Sequence, residues 1–94
     1  MVNVEEVVEE VKNLLKGREV NVEREGEEVI LTIVLNEYVS VYVSILCSGN
    51  ECGVSYAIGD ENFVIDSSQV GMLDEAVKII KEINELLAKR GIVK

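Results

Sequence analysis

The feature that most restricts how this chain can fold is a change of hydrophobic period that happens twice. Up to Gly17 the apolar residues recur about every 3.6 positions, from Glu19 to Asp66 they alternate, and beyond Asp66 the helical spacing returns. A chain patterned this way predicts helix, then strands, then helix.

The first helix is expected over residues 4–16. Asn3 precedes an acidic turn with Glu6 three residues on, a capping-box pattern, and Val2 and Val7 stand where a hydrophobic staple would put them. Val4, Val7, Val8, Val11, Leu14 and Leu15 supply the apolar stripe, and Lys16 followed by Gly17 supplies the stop.

Turn signals at Glu25-Gly26, Asn36-Glu37, Ser48-Gly49-Asn50 and Gly59-Asp60 divide the alternating region into five strands. A slip of one residue would exchange the two faces of a strand, so the loop lengths are constrained together. A two-residue turn at Glu25-Gly26 pairs Val22 with Val29, and a three-residue loop at Asn36 to Tyr38 pairs Leu35 with Val39 and Leu31 with Val43. Four-residue loops at Ser48 to Glu51 and at Gly59 to Asn62 then set Cys47 opposite Cys52, Val43 opposite Tyr56, and Tyr56 opposite Ile65. One face becomes continuously apolar. The other is mixed, with Thr32, Tyr42, Ala57 and Val64 in one row and Ile30, Ser44, Ser55 and Asp66 in the next.

The second helix is expected over residues 69–89, with irregularity near Gly71. Asp66 and Gln69 suggest its cap, and Val70, Leu73, Ala76, Val77, Ile80, Ile83 and Leu87 its core stripe. Five strands about 4.8 Å apart are covered by two helices packed about 8 to 10 Å apart. The expected fold is therefore one α+β domain over residues 1–94, a two-layer sandwich of a five-stranded antiparallel meander with both helices on one face.

The 94 residues carry a formal charge of −9 and include no Pro, Trp or His. Such a balance repels phosphate backbones, and no Lys/Arg cluster overrides it, so direct nucleic-acid binding is not expected. No apolar run approaches the roughly 20 residues that cross a bilayer, and the acidic start is unlike a signal peptide; a cytoplasmic protein without membrane attachment is the expectation. Glu and Lys together far outnumber Gln, Asn and Asp together, a usage found in hyperthermophile proteins.

Cys47 and Cys52 are the chain's only cysteines. A thioredoxin-type dithiol needs two intervening residues at a helix N-terminus, and a structural zinc site needs four Cys or His ligands; the sequence offers neither. No metal or cofactor is expected. Directly opposite positions on a hairpin place the two within reach of a disulfide, which is favoured here over a pair of free buried thiols.

No nucleophile elbow, phosphate loop or His-Glu-x-x-His helix occurs, so catalysis is not expected. Asp60 and Glu61 read as a polar hairpin tip and not as a carboxylate pair. The acids of the first helix and first strand read as a solvated face and a charged edge. An apolar surplus is less easily absorbed. Met72, Ile79 and Leu86 repeat every seven residues beside the helical stripe, and Ile30, Tyr42, Leu46 and Val64 stand on the outer sheet face. These residues are the candidate interface, and the functional expectation is a non-enzymatic binding or scaffold domain that forms a homodimer. The alternatives are an acidic inhibitor that mimics nucleic acid toward a cationic protein, and a small-ligand domain with a groove centred on Tyr42.

Overall fold

The computed structural model describes residues 3–93 and shows an α+β fold in which two helices cover one face of a four-stranded antiparallel sheet. The order is α1 (Val4–Leu14), β1 (Val20–Glu25), β2 (Glu28–Val34), β3 (Ser40–Ser48), β4 (Glu51–Gly59), a 3-10 turn (Ser67–Met72) and α2 (Leu73–Lys89). The strands follow one another as a simple meander, with β1 and β4 at the edges.

α1 begins where its cap dictates. The Asn3 side chain accepts a hydrogen bond from the Glu6 amide at 3.2 Å, which satisfies one of the donors that a helix start leaves open. Val7, Val8 and Val11 are buried on its inner face. The Val2 half of the expected staple lies outside the described residues.

The alternation of β2 and β3 does what its period requires. Val29, Leu31, Ile33, Val41, Val43 and Ile45 all point into the core, and all but Val29 are fully buried. At about 25 cal/mol per Å² of apolar surface, the two central strands and the buried residues of α1 and α2 carry most of the stabilisation. Across β2–β3 and β3–β4 the pairings are those that the pattern predicts: Leu31 with Val43, Val43 with Tyr56, and Cys47 with Cys52.

Three expectations are corrected. The first hairpin is shifted by two residues: Val22 faces Leu31 and Val20 faces Ile33, because the turn is Gly26-Glu27. A turn at Glu25-Gly26 of the I′ type would force a glutamate to positive φ, whereas the observed turn leaves that conformation to Gly26 alone, at φ 59°. The β3–β4 hairpin makes the same choice with Gly49, at φ 63°, so its loop is two residues and not four, and the ladder gains the pair Ser48 and Glu51. Register parity survives both changes.

The fifth strand does not form. The Asp60 carboxylate accepts from the amides of Asn62 (2.9 Å) and Val64 (3.1 Å), and the Asp60 amide donates to the Val64 carbonyl at 2.8 Å. That closed loop spends the backbone groups a ladder would need. Phe63 at its apex takes a φ of 62°, far from extended.

α2 is the third correction. Asp66 caps the 3-10 turn through Ser68, at 2.8 Å from its amide, and the α-helix starts only at Leu73. The tighter turn changes the phase, so the buried stripe is Ala76, Ile79, Ile83 and Leu87. Val70 and Val77, expected in the core, are exposed, and Ile79, expected on the flank, is 4% exposed.

Candidate functional site

An open groove of about 830 Å³ lies at the end of the sheet where β2 turns into β3 and where the chain leaves β4. One wall is the loop Glu37 to Ser40, and the other is formed by Gly59 to Glu61, Val64, Asp66, Ser68 and Gln69, with Phe63 beside the lining and not in it. Short-range chemistry builds each wall. The Asn36 side chain accepts from the amides of Tyr38 (2.7 Å) and Val39 (2.8 Å), which fixes the first loop, and Asp60 fixes the second as described. The Asn36 side-chain Nδ2 donates to Oε1 of Gln69 at 2.9 Å and ties the walls together.

Tyr42, on the outer face of β3, is the centre of the site. Its hydroxyl donates to the Asp60 carbonyl at 2.9 Å, and the Phe63 ring meets it edge-on, with centroids 4.9 Å apart at 87°. Phe63 is nonetheless 60% exposed, Val64 59% and Tyr38 61%. A bulky residue held at positive φ with its ring turned to solvent costs about 1 to 3 kcal/mol, which the Asp60 hydrogen bonds and the Tyr42 contact offset. Gly59 makes the loop possible, since a Cβ there would stand 2.6 Å from the Val64 amide nitrogen.

The groove lining includes the carboxylates of Glu37, Asp60, Glu61 and Asp66 and no Lys or Arg. Asp60 and Asp66 are committed to loop and helix-cap amides, and the Ser68 hydrogen bonds hold the Asp66 carboxyl below its ordinary range. Glu37 and Glu61 have no such partners among the described residues. The local pattern belongs to a larger one. Ten of the eighteen acidic residues, but only one of the nine basic ones, lie between Glu19 and Asp66, so the sheet segment carries the whole charge of −9. The flanking helical segments hold eight of each and are neutral.

All three arginines are engaged: Arg18 with Glu75, Arg24 with Glu5 and Arg90 with Glu10. Arg18, just beyond the end of α1, meets Glu75 in the first turn of α2, and Arg90, just beyond the end of α2, meets Glu10 further back along α1, so the two helices run antiparallel.

The expected site residues divide. Cys47 and Cys52 are joined as a disulfide, with Cα atoms 4.0 Å apart, on the half-buried inner side of the β3–β4 hairpin. Tyr42 and Val64 line the groove. Ile30 is half-buried two pairs further down the outer face, and Leu46 is 50% exposed at its far end. The helix candidates do not form an exposed stripe: Ile79 is core, Leu86 packs against the core, and Met72 is half-buried at the end of the 3-10 turn.

Tyr38, Phe63 and Glu37 were not among the expected site residues. A fifth strand that sets Tyr56 opposite Ile65 puts Phe63 on the inner face as well. The available signal was the Asp60-x-Asn62 pair directly after a glycine, which favours a side-chain-capped loop over a strand. Among the described residues no cluster of side chains suits a metal ion, and no helix is long and apolar enough to cross a membrane. No protein-family model, curated protein or solved structure matches this chain.

Proposed function

We propose that the protein is a non-enzymatic binding domain that captures an extended, basic segment of a partner protein in the groove around Tyr42. The observation that carries this reading is the coincidence of exposed aromatic rings with a lining of carboxylates and no cation. Tyr38, Tyr42 and Phe63 offer faces and edges on which lysine or arginine stems lie, and Glu37 and Glu61 receive their charged ends. The segregated charge of the sheet layer draws such a segment toward this side of the molecule. Strain at Phe63 supports the reading further, because a ring turned outward at a conformational cost is the kind of departure that binding sites retain.

A synthetic peptide of alternating lysine and leucine is a suitable probe. In a titration followed by NMR, the amides of Tyr38, Tyr42 and Phe63 should shift, and Phe63→Ala and Tyr42→Ala should each weaken binding about tenfold, the value of one well-placed aromatic contact. Raising salt from about 50 to about 300 mM should weaken it again. Shifts confined to the helices, or an affinity unchanged by salt and by Phe63→Ala, would show that the groove is not the docking site.

A further inference from the structure

Because the expected fifth strand does not form, β4 is left as an open edge, nine residues long, with a single charge, Glu51, at its end. In a hairpin with a two-residue loop the closing pair, Ser48 and Glu51, is hydrogen-bonded, and bonded and non-bonded pairs then alternate. Glu51, Gly53, Ser55, Ala57 and Gly59 therefore turn their backbone groups toward β3. The N–H and C=O groups of Cys52, Val54, Tyr56 and Ile58 point outward. No backbone or side-chain partner meets them among the described residues. The side chains of these same four residues are only half-buried against the core.

We propose that this edge pairs antiparallel with the same edge of a second copy, centred on Ser55, to make one continuous eight-stranded sheet. The sequence of β4 is self-complementary in that register and uses every outward group. Cys52 faces Ile58 of the other copy, Val54 faces Tyr56, and Ser55 faces its counterpart. Val54 and Tyr56 then cover one another on the helix side, and Gly53 meets Ala57 on the outer side. Each Glu51 falls opposite a Gly59, so no like charges are opposed. A shift by one pair in either direction leaves two of the eight outward residues unpaired. A second copy is the occupant because the strand that completes this edge best is the edge itself.

Sedimentation equilibrium of the intact chain tests the proposal without any partner present, so its result is independent of the groove reading. At about 100 µM and physiological salt the wild type should be a dimer. Val54→Pro removes an outward N–H and leaves the β3 ladder intact, and it should raise the dimer Kd at least about tenfold with an unchanged circular dichroism spectrum. Ser55→Lys, at an exposed position, sets two lysines against each other and should do the same; it decides alone if the proline variant loses its fold. Ser55→Cys should cross-link two chains under mild oxidation, whereas Gly53→Cys and Ala57→Cys, which face each other and not themselves, should not. A wild type that is monomeric at this concentration, a dimer that survives Ser55→Lys, or cross-linking that favours Gly53→Cys would each overturn it.

Discussion

The two edges of this sheet are built on opposite plans. β1 is short, and three of its six residues are charged: Glu23, Arg24 and Glu25. Arg24, on the helix side, reaches Glu5 of α1 through two hydrogen bonds, so a charge sits where a second strand would have to dock. β4 is half as long again, almost neutral, and anchored by bonds that leave its outer rim clear: the Cys47–Cys52 disulfide toward β3, and the Tyr56 hydroxyl, which donates to the Asn84 side chain of α2 at 2.8 Å. The contrast teaches that solubility alone does not explain this sheet. Where the chain needed a closed edge it placed charge, and it did not do so at β4.

Four measurements test that contrast. The largest effect should come from packing: Tyr56→Ala should cost about 2 to 3 kcal/mol in urea unfolding, against about 1 for Val22→Ala on the β1 side, because Tyr56 loses both its packing and its bond to Asn84. Equal losses would mean that β4 is no better anchored than β1. Next, replacing both Cys47 and Cys52 by Ala should cost about 2 kcal/mol, small because the closed loop is short, and lower the Tm by about 10 °C. A loss near zero would assign the anchoring of β4 to α2 alone.

The third concerns alkali. Burial pushes the Tyr56 hydroxyl pKa up, so its folded value lies above its unfolded one. The corresponding stability is complete below the ordinary tyrosine range and is lost as pH rises through the folded pKa; Tyr56→Phe should abolish that loss. The smallest effect belongs to β1. The Arg24 guanidinium holds the Glu5 carboxyl below its usual range, so this pair supports the fold above the ordinary glutamate pKa and ceases to as pH falls through the folded value. Arg24→Gln should barely change stability at neutral pH, since both groups are exposed, and should remove that acid step. If it also produced association through β1, the guarding role of Arg24 would be established directly.

How much of this was legible in the sequence follows from how local each determinant is. Face assignment for β1 through β4 was legible throughout, because a period of two survives any error of an even number of residues; the first hairpin was misplaced by two and its faces were still right. The Cys47–Cys52 pairing was legible because both flanking strands had to satisfy the same core. The rest turned on side-chain chemistry that periodicity does not register. Asp60 converted a plausible strand into a capped loop, and a single 3-10 turn rotated α2 enough to exchange Ile79 with Val77. The groove was foreseen only at Tyr42 and Val64, since its walls are those two irregular segments. The free edge at β4 was hidden by the same misread strand.

The charge division between the layers also sets how the molecule moves before it touches anything. With −9 on the sheet segment and neutral helical segments, the negative charge of the protein is concentrated toward its sheet layer. Near a positively charged body it rotates before it arrives, so the search over orientations that slows most encounters is largely settled during approach. Joining two copies edge to edge would leave both negative faces on the same side, so the pair would orient as one plate with twice the torque.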